Sequence, residues 1–467
     1  MRRFTAFVLL LTAGASSAAD TSKPLTRIGF GSCAHQEKPQ PIWDAIVASK
    51  PDIFLCLGDN IYGDSEDMSV LKAKYDKAAA VPGYQKLLKI CPVLATWDDH
   101  DYGKNDAGVE YAQKDQSQQL FLDFYGIPKD SPRRTQKGVY DSVTYGPEGQ
   151  RVQIIILDLR YFRSPLKRGK RSEGMTYTPY IANNDADATV LGEAQWKWLE
   201  DQFKKPAEVR LLVSSVQLIA EDHGFEKWMN FPGEREKLFK MIRDTKANGI
   251  IALSGDRHLA ELSQMTDVVG YPLYDLTSSG LNQASKTWRA SEKNRHRVSG
   301  MPWGDNYGLI TIDWAAADPT ISLQIRDVVG ELTIREQLPL SLLTPGKRAV
   351  KVPEEEPKVS EGSIAPKAAL EKIGDKVTVE MKVNSVGGTK EKRLFLNSLK
   401  NFSSKESLAI VCMPKAFGDK YAKATAATFL NKTIRVTGVV STFRDSIQIV
   451  VDDEKQLEIV EATPAKE

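Results

Sequence analysis

Cysteine is scarce in this chain, with four in 467 residues. Cys33, Cys56, Cys91 and Cys412 are too few and too scattered for a disulfide framework, so apolar burial has to carry the fold. Charge of one sign is not in excess either. The 63 Lys and Arg nearly balance the 61 Asp and Glu, a formal net charge of +2, which removes bulk electrostatics as a reason to expect nucleic-acid binding. Long apolar runs are missing beyond the N-terminus, so no later segment is expected to cross a bilayer. No internal repeat is visible. With 41% hydrophobic residues a sizeable core can form, and the length exceeds what one compact domain usually holds.

The N-terminus, MRRFTAFVLLLTAGASSAAD, has a basic start at Arg2 and Arg3, an apolar stretch from Phe4 to Ala13, and small residues at Ser17-Ala18-Ala19. That pattern predicts a secretory signal peptide over residues 1–19 and an exported mature chain, periplasmic or extracellular. In an oxidising compartment free thiols persist when buried or metal-bound. Cys56 and Cys91 lie in or just before apolar strand-like runs and read as buried thiols or a bridge.

From Arg27 the pattern is strand, loop, helix, strand. Apolar runs at 26–30, 52–57, 92–96, 152–157, 210–215 and 249–254 alternate with helical stretches, the pattern of a sheet covered on both faces. The stretch 164–189 has no clear periodicity and reads as a long loop. The runs end in chemically capable residues: Cys33, Asp59 and Tyr62, Asp98-Asp99-His100-Asp101, Asp256 and His258. Ligands in open α/β sheets gather at that edge. Three carboxylates within Asp98–Asp101 repel one another, so the run needs a solvated loop or neutralising cations. Carboxylate, imidazole, thiolate and phenolate are all metal donors. Oxygen donors suit calcium, magnesium, manganese or ferric iron, and the thiolate and phenolate suit a transition metal better than calcium alone. A two-cation site for phosphoryl transfer accounts for the acidic concentration.

Taken in order, Gly31-Ser32-Cys33, Gly58-Asp59-Asn60-Ile61-Tyr62, Trp97-Asp98-Asp99-His100-Asp101-Tyr102 and Gly255-Asp256-Arg257-His258 resemble the motifs of the PhoD-like (alkaline phosphatase D) metallophosphoesterases. Leu157 to Arg163 is similar to a further block, and the resemblance covers roughly residues 25–335. It implies a calcineurin-like four-layer α/β/β/α core, hydrolysis of phosphate mono- or diesters, and Fe3+ with Ca2+. By position, Cys33, Asp59, Tyr62 and His258 would hold the iron-like site with Asp59 bridging, and Asp99 with Asp256 the harder cation. A metal-bound hydroxide would be the nucleophile. His100 would protonate the leaving alkoxide or bind the phosphoryl group, Asn60 would orient the phosphate, and Arg160 would pair with its oxygens. Two departures stand out. His35 is unexpected at its place. The superfamily's further His, between the third and last motifs, is absent, leaving Gln217 as a stand-in ligand and His223 as a substrate-side loop residue.

The expected division is a core over 25–338, a proline-rich linker over 339–366 and a small OB-like β-barrel over 367–462, built of five strands with a helical stretch near Asp419 to Leu430. Such a barrel could take nucleic acid, glycan or protein. Lys390, Lys392 and Arg393 are its basic loop groups, and Phe395, Phe402 and Phe443 its aromatics. Two alternatives remain open at this point. One is a catalytically weak binding protein that works through the barrel. The other is a metal hydrolase acting on other esters, including sulfate esters.

Overall fold

The computed structural model describes residues 20–460 apart from 173–176, 267, 286–291, 347–358, 389–392, 400–404, 419–420, 422–423, 425 and 444–445. The signal-peptide expectation, much of the linker, and Lys390, Lys392 and Phe402 therefore lie outside the described residues.

The first three apolar runs form β1 (Arg27–Gly31), β2 (Ile53–Leu57) and β3 (Val93–Thr96), joined by α1 (Ile42–Ala48), α2 (Met68–Ala79) and α3 (Pro82–Leu88). The Asp67 carboxylate caps α2 by accepting from the Ser69 amide at 2.8 Å. Pro82, lacking an N–H, opens α3 where none is needed. A four-residue helix, α4 (Asp99–Tyr102), carries the acidic run, and α5 (Lys114–Phe124) follows. A second set of strands comprises β4 (Asp141–Tyr145) and β5 (Val152–Ile156). The ribbon β6 (Lys167–Arg168) with β7 (Tyr180–Ile181) lies inside the expected long loop. Then come α6 (Gly192–Phe203), β8 (Val209–Val213), α7 (Pro232–Thr245), β9 (Ile250–Ser254), β10 (Ala260–Met265) and β11 (Leu273–Ser278). β12 (Asn306–Asp313), β13 (Thr320–Asp327) and β14 (Leu332–Pro339) complete the core.

Two six-stranded sheets result, ordered β14-β13-β12-β1-β2-β3 and β10-β11-β9-β8-β5-β4. In the first sheet β1, β2 and β3 are parallel, with antiparallel strands beyond β1; in the second, β11, β9, β8 and β5 are parallel, with an antiparallel strand at each edge. Alternation along β2 shows how the layers form. Ile53, Leu55 and Leu57 enter a core shared with Ile154, Leu211 and Leu253 of the other sheet. Phe54 and Cys56 point the opposite way, into a cluster with Trp43, Ile46, Tyr75 and Phe121 from α1, α2 and α5. Trp196, Leu199, Leu238 and Ile242 of α6 and α7 cover the second sheet. The order is α/β/β/α, as expected. Each large apolar side chain so buried contributes about 1.5–3 kcal/mol. Cys56 and Cys91 share the outer cluster as free, buried thiols, so the bridge alternative does not occur.

The C-terminal part has α8 (Pro366–Ala369), β15 (Lys376–Lys382), β16 (Ser385–Gly388), β17 (Leu394–Asn397), β18 (Leu408–Cys412), α9 (Ala426–Phe429), β19 (Thr433–Phe443), β20 (Ser446–Val451) and β21 (Leu457–Val460). Its sheet runs β15-β19-β20-β18-β17-β16, with β21 also on β19. There are thus seven strands among the described residues where five were expected. β16 is glycine-rich and β21 has four residues, so neither shows a strong strand pattern. β19 hands over from β15 and β21 in its first part to β20 in its last, which wraps the sheet part-way around its own core. No pairing joins β15 to β16 among the described residues, so the sheet is a half-barrel rather than a closed one. Of the expected helical stretch at 419–430, the described helix is Ala426–Phe429. No helix among the described residues is long and apolar enough to cross a membrane.

Candidate metal centre

The chemically capable residues all follow the carboxyl ends of parallel strands: Cys33 after β1, Asp59, Asn60 and Tyr62 after β2, Asp98 to Asp101 after β3, and Asp256 with His258 after β9. An isolated bridge between Ser32 and Ser279 ties the end of the first sheet to the end of the second, bringing the two edges together. The Ser279 hydroxyl accepts from the His258 amide at 2.7 Å and lies 3.2 Å from Cys33 Sγ. Cys33, Asp59, Asp256 and His258 all have left-handed backbones, with φ of 64°, 51°, 65° and 54°. Such strain persists only where the surroundings over-determine it, and here it gathers at one point.

Three donor groups overlap there. Cys33, Asp59 and His258 place ligand atoms within 4.8 Å of one another, as do Asp59, Asp99 and His100, and Asp98, Asp99 and Asp256. Tyr62 joins the first, its hydroxyl 3.1 Å from His258 Nε2 and donating to Asp59 Oδ2 at 3.4 Å. Asp59 is common to two groups and sits where a bridging carboxylate would.

Whether these residues fit cations is answered by their unmet bonding. Asp59 Oδ1 and Asp98 Oδ2 are buried without a hydrogen-bond partner, an arrangement that costs about 1–3 kcal/mol per group, more when charged. Burial, with Cys33 and Asp99 nearby, pushes the Asp59 carboxyl well above its usual range. Burial lifts Asp98 to about 7 against the pull of Arg160, and lifts the Cys33 thiol to about 11. Asp256 is likewise raised by burial and by Asp98. Asp99 goes the other way: burial pushes it up, but Arg160, His100 and the Asp106 amide outweigh that and hold it at about 2. Carboxylates of this density fit a pair of cations, with the thiol, phenol and imidazole around one and oxygens around the other.

His100 has its Nδ1 2.8 Å from Asp64 Oδ2. Burial lowers its pKa, but Asp99 and Asp64 together raise it to about 11 in the metal-free chain, which favours the imidazolium. Tyr62 lies between two imidazoles, stacked on His35 at 4.7 Å and tilted against His100 at 4.3 Å. His35, unexplained by the sequence, is thus a packing partner of a candidate ligand.

Three expected contacts to phosphate meet side chains already committed elsewhere. The Arg160 guanidinium is fully buried. Its Nε donates to Asp98 Oδ1 at 2.7 Å, its Nη2 to the same oxygen, and its Nη1 to Glu226 Oε2 at 2.8 Å. The fork that would clasp a phosphate clasps Asp98 instead. The Asn60 amide nitrogen donates to the Thr96 carbonyl at 2.9 Å and to Asp101 Oδ2, which fastens the β2 loop to the β3 loop. Gln217 gives its Nε2 to Glu261 and Thr277, while its Oε1 lies 3.0 Å from His223 Nε2. The stand-in ligand and the substrate-side histidine therefore face each other.

Sequence reading missed several residues. Asp98 belongs to a donor group and was read only as part of the run. Asp101 accepts from the Asp98 amide at 2.6 Å and from the Asp59 and Asn60 amides at 3.3 and 3.2 Å, fixing both loops. Its place in the acidic run was the available signal. Asp64, Asp106, Ser279 and Glu226 carry no local signal; only the fold brings them here.

A family model described as PhoD-like phosphatase matches residues 28–297, more than half of the chain. Alkaline phosphatase D of Bacillus subtilis (strain 168) is 22% identical over 195 residues, 37% of this chain and 32% of the relative. The chain thus covers about a third of that curated relative's length. A solved structure of PhoD superposes with a TM-score of 0.54 at 16% identity, over 69% of this chain and 70% of that one. A dimetal phosphatase from Danio rerio aligns with a TM-score of 0.42 at 13% identity, over 69% of this chain and 99% of its own. With the model match spanning the second sheet, the parallel strands of the first and all the candidate ligands, the chain belongs to the PhoD-like phosphatase family.

Proposed function

We propose that this chain is an exported, metal-dependent hydrolase of phosphate mono- or diesters. The observation that carries the reading is Asp59, shared by two donor groups and holding a buried oxygen with no hydrogen-bond partner. Cys33, Asp59, Tyr62 and His258 would hold one cation, and Asp59, Asp98, Asp99 and Asp256 the other. The mixed thiolate and phenolate set suits ferric iron, and the carboxylate set suits calcium. Bound there, the cations supply charge neutralisation for the phosphoryl oxygens and an acidified water.

The chain's own groups then do the following. His100, protonated and oriented by Asp64, offers the nitrogen away from Asp64 to the leaving oxygen and donates its proton. Arg160 acts from behind Asp98 as a positioning residue rather than on substrate. Asn60 and Asp101 hold the ligand loops in register. Export rests on the residue pattern at 1–19.

The test is to purify the chain without chelators, measure bound metals by elemental analysis, and assay para-nitrophenyl phosphate beside its bis ester. Iron with calcium and turnover lost on chelation are expected, and the faster substrate assigns the ester class. Asp99→Asn and Asp256→Asn should each lose roughly 100-fold or more in turnover while keeping the wild-type fold. Variants that hydrolyse as fast as wild type would place the reaction elsewhere.

A further inference from the structure

Behind the oxygen-rich half of the centre lies a closed chain of contacts made by residues that touch neither cation position. Arg160 holds Asp98 Oδ1 and reaches Glu226 Oε2 at 2.8 Å. The other oxygen of Glu226 lies 3.1 Å from Arg163 Nε. Arg163 donates through Nη2 to the Asp106 carbonyl, at 2.5 Å, and the Asp106 amide donates to Asp99 Oδ2 at 2.7 Å. The ring therefore starts on Asp98 and ends on Asp99, two adjacent carboxylates of one donor group. Arg160, Arg163 and Glu226 are all almost completely buried. Glu226 comes from the loop after β8, 66 residues beyond Arg160, so the ring clamps the β3 loop from a distant part of the second sheet.

Charge gives the ring its purpose. Asp98 and Glu226 carry two negative charges and Arg160 and Arg163 two positive ones. Without the Glu226 charge, the two guanidiniums would outweigh the Asp98 carboxylate by one positive charge, which would oppose a cation on its far oxygen. Arg160 alone, free of Glu226, would also be able to swing its fork around Asp98. Both effects weaken cation binding at the carboxylate half and leave the Cys33–Tyr62–His258 half unaffected.

We propose that Glu226 is a positioning residue that sets the cation affinity of the Asp98–Asp99–Asp256 group through Arg160 and Arg163. This rests on the two-cation reading above. The experiment titrates metal-free full-length wild type, Glu226→Gln and Glu226→Asp with calcium alone by calorimetry, and with ferric iron by the visible absorption of its thiolate and phenolate complex. Melting temperature of the metal-free proteins is measured in parallel. Groups directly behind ligands typically change metal affinity by roughly 10- to 100-fold. The expected result is a calcium affinity lower by about that factor in Glu226→Gln, an unchanged iron band, turnover recovered at high calcium, and partial rescue in Glu226→Asp. If Glu226→Gln does not fold, Glu226→Asp, which keeps the charge on a shorter arm, is read alone for the same selective calcium loss. Equal weakening of both metals, or calcium affinity unchanged in a folded variant, overturns the proposal. A wild type that binds iron but no calcium overturns the two-cation reading itself, and this inference with it.

Discussion

A buried carboxylate with an unmet oxygen takes up either a cation or a proton, and this competition gives the residue scale its test. Asp98, which has the unmet oxygen, and Asp101, whose oxygens both accept amide hydrogens, are each lifted by burial from 3.8 to about 7 in the folded, metal-free chain. Between those values the folded state binds more protons than the unfolded one, so stability falls as pH rises through the window. Metal-free protein should therefore show a higher urea midpoint at about pH 5 than at about pH 7.5, and added cations should reverse the order. A metal-free midpoint that rises with pH would show that these carboxyls ionise freely without metal. His100 gives a second residue-level prediction. His100→Asn should lose roughly 10²- to 10⁴-fold in kcat, the usual worth of a placed proton donor. Asp64→Asn removes a group that raises the His100 pKa, so the alkaline limb of the kcat profile should move to lower pH. A limb that stays in place would assign the titration to another group.

At the scale of elements, the turn after β2 shows how tightly the ligand loops are fitted. Gly58 has φ +106°, and a Cβ built on it would meet Asp98 Cβ at 2.5 Å and the Asp98 amide nitrogen at 2.9 Å. Gly58→Ala should lower stability by about 1–3 kcal/mol and displace Asp98, so activity at saturating calcium should fall further than the folded fraction does. A loss that follows the melting curve alone would make Gly58 a purely structural residue. The same loops show what could be read in the sequence. Strands such as β5, β8 and β9 are mostly apolar runs, and the Asp-Asp-His-Asp run marks its own chemistry, so the sheet edge and most candidate ligands were legible. Arg160 was visible as a residue, but its direction was not. Its partners Asp98 and Glu226 lie 62 and 66 residues away, and nothing local distinguishes a guanidinium aimed at substrate from one aimed at a carboxylate. Glu226, Ser279 and Asp106 were illegible for the same reason. The strands β16 and β21 escape notice because four residues are too few to show alternation, and two of those in β16 are glycine.

At the scale of the whole molecule, the buried apolar residues divide, among the described residues, into three clusters, two in the phosphatase-like core and one in the C-terminal half-barrel. The candidate ligands all belong to the first part. The second packs on it locally: Leu332 of β14 lies against the half-barrel core, and the Val386 carbonyl lies where a Cβ on Gly300 would stand. Units with separate cores fold with considerable independence, and a small junction transmits little. A chain ending at residue 346 should therefore keep the metal content of the full-length protein and its kcat on para-nitrophenyl phosphate within about threefold. Its melting temperature should drop a little, because Leu332 and the backbone near Gly300 lose their cover. A truncated chain that loses bound metal would show instead that the contact at Gly300 supports the segment between β11 and β12, whose start, at Leu281 and Asn282, is hydrogen-bonded to the carbonyls of Ser32 and Cys33. In that case the half-barrel would be part of the catalytic unit, and its loss should be repaired by adding back metal but not by adding back substrate.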